Sequence, residues 1–321
     1  SFLINPFRRT GDIYYLCTLL YEVRAPCAQG RVNVFNFKHI QDMILVADSG
    51  STKTDWAAIG DSVRHLQSIG LNPLFFTDES LETTISGALA DVPGEEVTGV
   101  YFYGSGCGLE VNRERLRKCF RSLFPNVRDV EVDTDLVGAA IALYGKEKGI
   151  ACILGTGANA GIYDGRTIVR TPLSLGYMLG DNGSGAVLGM QLIKLYLRGL
   201  LPQDLAAELE REYGVEYKNI IESVYKKERP NKYFASFSPF VARHKDQEPV
   251  RGMLEKEFAD FFEYFIVPFF QTEGKMPVRI IGSVGYYYRD VIERVAARYD
   301  IRIDKIALKP IDLLIEHHRG E

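Results

Sequence analysis

Cysteine is sparse in this chain and shows no pairing pattern. The five thiols, Cys17, Cys27, Cys107, Cys119 and Cys152, are an odd number and include no C-x-x-C pair. This excludes a disulfide scaffold and a thiolate zinc site as organising devices. It points to a reducing cytosol, where each thiol packs as a small apolar group. No apolar run approaches the roughly 20 residues that a membrane-spanning helix needs. Positive charge is not in excess either: 38 Lys and Arg stand against 42 Asp and Glu, a net charge of -4. With no long basic run, nucleic acid is disfavoured as the main partner. The Walker A pattern G-x-x-x-x-G-K-[ST] is also missing. What remains is a chain with 46% hydrophobic and 25% charged residues, long enough at 321 residues for two domains with cores of their own.

The chain is organised around Met43 to Gly60, MILVADSGSTKTDWAAIG. Met43 to Ala47 is a continuous apolar run ending at the carboxylate of Asp48, and Thr54 to Ile59 returns as a second strand, so the stretch reads as a β-hairpin. Its turn, Ser49, Gly50, Ser51, Thr52, Lys53 and Thr54, offers backbone N–H groups and hydroxyls to a phosphate, and the glycine permits close approach. A carboxylate at the end of a buried strand needs a partner, and a hydrated Mg²⁺ on the phosphates would be one.

Residues 1–42 read unlike the rest and are expected to be a poorly ordered extension, or sequence upstream of a start at Met43. A signal peptide, with Arg8 and Arg9 before a core at Ile13 to Leu20, is disfavoured by the short core and by Glu22 and Arg24 behind it. After the hairpin come a strand at Ser62 to Ile69, a turn through Asn72, a helix capped by Asp78 or Ser80, and a strand at Val97 to Tyr103. That strand enters the turn Gly104-Ser105-Gly106-Cys107-Gly108. A helix is expected from Asn112 to Phe124, with Arg113, Arg115, Arg117 and Arg121 as a solvated face. Val130 to Asp133 ends in DTD before a small-residue helix at Leu136 to Tyr144.

At Gly149 the pattern restarts. Ile150 to Leu154, the turn Gly155-Thr156-Gly157, Ala158 to Tyr163 and Arg166 to Arg170 form a second strand, Gly/Thr turn and strand. Two like domains facing across a cleft would bring both turns to one nucleotide. The stretch Gly176 to Gly189, GYMLGDNGSGAVLG, places Asp181 and a helix N-terminus at one site. Helices are expected at Gln203 to Tyr213, Glu216 to Tyr225, Tyr233 to Arg243 and Val250 to Phe270. A strand at Val278 to Ile281 leads into Gly282-Ser283-Val284-Gly285, which suits close approach to a base or ribose. A strand at Ile301 to Ala307 and a helix at Pro310 to His318 finish the chain, with His317 and His318 as solvated partners of the helix dipole.

Asp48, Gly50, Thr52 and Thr54 match the D-x-G-x-T-x-T loop of the actin, hexokinase and Hsp70 superfamily, which this sequence resembles. Together, DSGSTKT, DTD, GTGAN, LGDNGSG and GSVG resemble the N-acetylglucosamine kinase branch, within the BadF/BcrA-type ATPases, from Met43 to the C-terminus. The resemblance implies an α/β fold of two ribonuclease H-like (actin-like ATPase) domains with a cleft between them. The domains are expected at 43–147 and 148–321, the second with a helical insertion and with its last helix, about 310–318, returning to the first. It implies ATP and Mg²⁺ as cofactors and a sugar kinase with Asp135 as general base. Asp48 is expected to hold the metal. Asp48, Gly50, Ser51, Thr52, Lys53, Thr54, Gly155, Thr156, Gly157, Gly282 and Ser283 would line the nucleotide site. Asn72, Ser105, Gly106, Asn159 and Asp181 would line the sugar site.

The chemistry is consistent with these roles. A sugar hydroxyl attacking the γ-phosphorus needs a carboxylate to accept its proton, and Asp135 at a strand end can serve. Asp133, two residues earlier, would share its strand face, so spacing leaves the choice open and family position favours Asp135. Asn159 offers a donor and an acceptor, and Asp181 accepts from ring hydroxyls. Two departures bear on the substrate. Asn182 stands where the family usually has Glu, and Pro73-Leu74-Phe75 follows Asn72. N-acetylglucosamine, N-acetylmuramic acid and glucosamine all fit the pattern. The alternative is a BadF/BcrA-type ATPase that drives electron transfer or a conformational change in a protein partner; related activators bind an iron–sulfur cluster through cysteines, a spacing that Cys107, Cys119 and Cys152 lack. A sugar-sensing regulator would need a helix-turn-helix that the sequence does not show. The expected partners are a small-molecule sugar and ATP, without nucleic acid or membrane, and a homodimer is allowed.

Overall fold

The hairpin at the start of the described chain sets the first of two sheets. β1 (Met43–Ser49), β2 (Lys53–Ile59) and β3 (Val63–Ile69) form an antiparallel meander. β4 (Val97–Gly104) pairs parallel on the free side of β1, and β5 (Asp129–Thr134) parallel on β4. The order is β3-β2-β1-β4-β5. The second sheet repeats this plan. β6 (Gly149–Leu154), β7 (Ala158–Tyr163) and β8 (Ile168–Arg170) are the meander, and β9 (Val278–Ile281) and β10 (Ile303–Ala307) run parallel beyond β6. Written from the meander, its order is β8-β7-β6-β9-β10. These are the two mixed sheets of an actin-like fold. The structure is a computed structural model that describes residues 42–320; the expectation for residues 1–41 lies outside them.

β1 is covered on both faces, and its alternation sends side chains to two cores. Leu45 and Ala47 join Trp56, Phe102, Leu116 and Phe120 on one side. There lie α1 (Asp78–Ala88), capped by Thr77, and α2 (Glu110–Leu123). Val46 faces the other side, with Ala57 and Tyr103. This core is shared between the sheets. It is filled by α3 (Asp135–Tyr144) and the final helix, and it takes in Ala151, Tyr163 and Ile281 of the second sheet. Every residue of α3 after Asp135 is buried, which explains its small-residue composition. At Gly138 a Cβ would lie 2.5 Å from the Cβ of Tyr103, so even alanine would wedge the helix off β4.

Between β8 and β9 lies the helical insertion: α4 (Gly176–Leu179), α5 (Gly185–Leu197), α6 (Gln203–Tyr213), α7 (Tyr217–Tyr225), α8 (Pro230–Ala235), α9 (Ser238–Arg243), α10 (Val250–Phe261) and α11 (Val267–Glu273). Phe234, Phe240, Phe258, Phe261 and Phe262 form its core together with β6 and β9, as helix-core aromatics should. α12 (Ser283–Tyr287), α13 (Arg289–Ala296) and α14 (Pro310–Arg319) complete the chain. No described helix is long and apolar enough to cross a membrane.

Five sequence expectations differ from the structure. The helix expected at Tyr233 to Arg243 is two helices, with Pro239 in the first turn of α9. The one expected at Val250 to Phe270 widens into a π-turn at Phe262–Ile266 ahead of Pro268. In both, a proline lacks the N–H and crowds the carbonyl one turn back. α2 starts at Glu110, so Asn112 lies inside it, buried, with its amide donating to the Gly106 carbonyl at 2.9 Å. Of the four arginines expected to be solvated, only Arg121 is exposed. Arg113 pairs with Asp133, Arg115 donates to Asp78 and to the carbonyls of Pro73 and Phe76, and Arg117 pairs with Glu110. His318 is not a solvated dipole partner: it is buried, with Nε2 3.2 Å from the Tyr103 hydroxyl and its ring stacked on Tyr101.

Candidate active site

The two sheets open onto one cleft of about 1290 Å³, and the chain reaches it at the carboxyl ends of strands. β1 delivers Asp48, β4 Ser105 and Gly106, β5 Asp133 to Asp135, β6 Gly155 to Gly157, β9 Gly282 and Ser283, and β10 Leu308 to Pro310. Every residue expected in the site from sequence lines this cleft except Thr54. Thr54 is buried: its hydroxyl sits 2.8 Å from that of Ser49 and donates to the Ile69 carbonyl, while the Leu71 amide donates to Ser49 Oγ. It ties the hairpin to β3 and does not reach the cleft.

The first turn is closed by Gly50 N–H donating to the Lys53 carbonyl at 3.0 Å. Lys53 pairs with Asp55 at 2.7 Å, and Gln67 donates to the same carboxylate. The second turn is closed in the same way, Gly155 N–H to the Gly157 carbonyl at 3.0 Å. The N-terminus of α5 holds it from behind, with Gly185 and Ala186 N–H groups on the Gly155 and Thr156 carbonyls. The turns face each other: the hydroxyls of Thr52 and Thr156 are 3.4 Å apart. Lys232, from the insertion, donates to the Thr52 carbonyl at 3.3 Å. Gly282 has φ +124°, and a Cβ there would lie 2.3 Å from the Leu154 carbonyl, so only glycine lets β9 pass β6 at this point.

Two carboxylates share the floor. Burial raises Asp48 to about 7, with the charges of Asp135 and Asp55 adding and Lys53 opposing. Burial raises Asp135 to about 6 against the backbone N–H groups of Leu136 and of Asp135 itself. Asp135 opens α3, accepting from Leu136 N–H at 2.9 Å, while Thr134 caps the helix by accepting from Val137 N–H. Asp133 therefore shares no strand face with it. Asp133 stays on β5, engaged by Arg113 at 3.2 Å and by Thr134 N–H at 2.7 Å.

Further along, Asn72 lies over Gly106. Its Oδ1 accepts from Leu74 N–H, and a Cβ on Gly106, whose φ is +84°, would fall 2.1 Å from that oxygen. Ser105 Oγ is buried without a hydrogen-bond partner and lines the cleft. Asn159 uses its Oδ1 on Ala160 N–H and Thr171 Oγ1, which leaves its NH₂ as the group for a ligand. Asp181 sits in the left-handed region at φ +52°, its carboxyl near Gly157 and accepting from Ala158 N–H. Burial, and then the charge of Asp135, raises it to about 6. Sequence reasoning missed Arg113, Thr171, Asn231 and Lys309 as cleft residues. The one available signal was Arg113, three residues after Glu110 and able to return to the DTD strand.

No protein-family profile and no curated protein sequence matches the chain. Solved structures do. A candidate N-acetylglucosamine kinase from Porphyromonas gingivalis superposes with a TM-score of 0.81 at 37% identity, covering 87% of this chain and 99% of that one. A second candidate N-acetylglucosamine kinase, from Chromobacterium violaceum, gives 0.65 at 20% identity over 87% of this chain and 99% of that one. MreB5 of Spiroplasma citri, bound to ADP, gives 0.57 at 12% identity over 88% and 96%, a likeness of fold alone. With the duplicated sheet plan, the facing Gly/Thr turns and the near-complete coverage of the P. gingivalis protein, the chain belongs to the N-acetylglucosamine kinase-like family of the actin-like ATPase fold.

Proposed function

We propose that this protein is an ATP-dependent amino-sugar kinase that transfers the γ-phosphate of ATP to a hydroxyl of N-acetylglucosamine or a related N-acetylhexosamine such as N-acetylmuramic acid. The observation that carries this reading is Asp135. It is a carboxylate raised to about 6, at the floor of the cleft where the Gly/Thr turns of both sheets meet. A base with that value is ionised at neutral pH yet basic enough to take a hydroxyl proton as the oxygen attacks phosphorus. Asp133, already engaged by Arg113, is the poorer candidate.

In this reading the backbone N–H groups of Ser51 to Lys53 and of Thr156 and Gly157 cradle the phosphates, and Gly282 and Ser283 border the nucleoside. Asn72, Ser105, Gly106, Asn159 and Asp181 hold the sugar, with the Asn159 NH₂ suited to an acetamido oxygen and Asp181 to ring hydroxyls. Magnesium fits the donor set. Asp48 and Asp135 repel one another beside the first Gly/Thr turn, and among the described residues no three or more His, Cys, Asp or Glu come together so as to hold a metal ion by themselves. The ion would thus be held by Asp48 and ATP oxygens, as Mg²⁺ commonly is, and would neutralise phosphate charge. Positioning and electrostatics supply the rate, with no covalent intermediate. Closure about α3 and α14 would exclude water.

The test is ADP release by the full chain with Mg²⁺ and ATP, across N-acetylglucosamine, N-acetylmuramic acid, glucosamine, glucose and no sugar. Stimulation by an amino sugar is expected. Sugar-independent hydrolysis would move the reading to an ATPase that acts on a protein partner.

A further inference from the structure

The loop that carries Asp181 is held from outside the cleft. Asp181 is a non-glycine residue at φ +52°, a conformation that costs about 1–3 kcal/mol unless its surroundings hold it. Behind it stands Glu257 of α10, a carboxylate 2% exposed. Its two oxygens accept from two side-chain amides, Gln191 of α5 at 2.8 Å and Asn182, the residue after Asp181, at 3.3 Å. The same helix supports the next position of the loop: Gly183, at φ +77°, packs so that a Cβ would meet Phe258 at 3.2 Å and Phe261 at 3.4 Å. A buried charge is retained only where its hydrogen bonds are satisfied, and here one of the two donors is Asn182.

We propose that Glu257 is a positioning residue for the sugar site, fixing the Asp181 loop through Asn182 so that the Asp181 carboxyl meets the substrate hydroxyls in one orientation. The assignment rests on the kinase reading of the cleft. It also gives Asn182 a role. A carboxylate at position 182 would face Glu257 as a like charge, so the amide here and the acid on α10 form a matched pair.

The experiment uses three full-length variants, Glu257→Gln, Asn182→Asp and the double variant. In Glu257→Gln, the charge is lost and one of the two amides that donated to it must turn over to present its oxygen. In Asn182→Asp, two carboxylates meet. The double variant restores one donor and one acceptor with their positions exchanged. Each single change is expected to raise the KM for the sugar about tenfold, about 1.4 kcal/mol, while the KM for ATP moves less than about twofold. Each is also expected to speed amide hydrogen exchange over residues 179–184, and the double variant to return both readouts toward wild type. Unchanged sugar KM and exchange in the single variants, or additive damage in the double, would overturn the proposal. Should Glu257→Gln fail to fold, Asn182→Ala removes the same bond from its half-buried end and is held to the same outcomes. A wild type that phosphorylates no sugar would count against the kinase reading, while the exchange measurements still decide the role of Glu257.

Discussion

Replacing Asp135 by Asn should stabilise the protein while removing its turnover. The folded chain holds this carboxylate at about 6 against an ordinary 3.8, chiefly by burial. The ionised group therefore costs the folded state on the order of 3 kcal/mol relative to a solvated carboxylate. One face of Asp135 looks into an open cleft, so solvent screening reduces this to about 1–3 kcal/mol. Asn keeps the Oδ1 that accepts from Leu136 N–H, so the first turn of α3 retains its bond. It also removes one of the charges that raise Asp48, which adds to the gain. Thermal melts at pH 8 should thus show Asp135→Asn about 2–6 °C above wild type. The sign fixes the pH window. With its folded value raised, the wild type binds this proton more tightly when folded, so its deficit is full above about pH 6. The deficit shrinks as pH falls from there and vanishes below 3.8, where both states are protonated. Turnover with the best amino sugar should fall by about 10²–10⁴, and wild-type kcat/KM should decline below about pH 6. A lower melting temperature at pH 8, or turnover within about tenfold of wild type, would refute the reasoning.

Gly106→Ala should raise the sugar KM at least about tenfold and cost about 1–3 kcal/mol in urea melts. Its φ of +84° and the Asn72 oxygen 2.1 Å from the new Cβ leave no room without moving Asn72; a neutral outcome would mean that Asn72 is not held over Gly106. Lys232→Gln should raise the KM for ATP about threefold to tenfold with the sugar KM unchanged, since one charge-assisted bond to the Thr52 carbonyl is lost from the turn proposed to hold the phosphates. Steady-state kinetics with each substrate varied in turn would show the split.

Much of the fold was legible because its signals are local. The hairpin at Met43 to Gly60 and its echo at Gly149 are alternations of apolar runs with Gly/Thr turns, and both appear as expected at β1–β2 and β6–β7. What was illegible is long-range. Thr54 matches a phosphate-loop pattern, yet a strand alternates its faces, and this residue falls on the side where Ser49 and Ile69 take its hydroxyl. The arginines of α2 resembled a solvated stripe because nothing local reveals that Asp133, Asp78 and the carbonyls of Pro73 and Phe76 would lie against them. His318 sits near a C-terminus, where charge would face water, but α14 turns back onto the first sheet and buries it against Tyr103. Glu257 had no signal at all: it is one acid on an aromatic helix, and its meaning depends on an amide 75 residues away.

The sheet plan itself explains why the proposed base comes to be where it is. An antiparallel meander can close with a tight turn, so β1–β2 and β6–β7 each leave a Gly/Thr hairpin at the edge of the cleft. Parallel neighbours require a crossover, and β5, the last strand of the first sheet, must hand the chain to β6 in the second. The connection is α3, which lies in the core shared by both sheets and begins at the carboxyl end of β5. Its N-terminus is therefore aimed into the cleft, and Asp135 is its first residue. Two opposing effects act on that carboxyl. The N-terminal N–H groups of a helix favour the anion, whereas burial between two sheets disfavours it. Burial wins, but not outright, and the balance at about 6 is what a proton acceptor working at neutral pH requires. A longer loop before α3 would place the carboxyl further into water and return it toward 3.8. In its proposed role it would then be a weaker base for the sugar hydroxyl even with every other cleft residue in place.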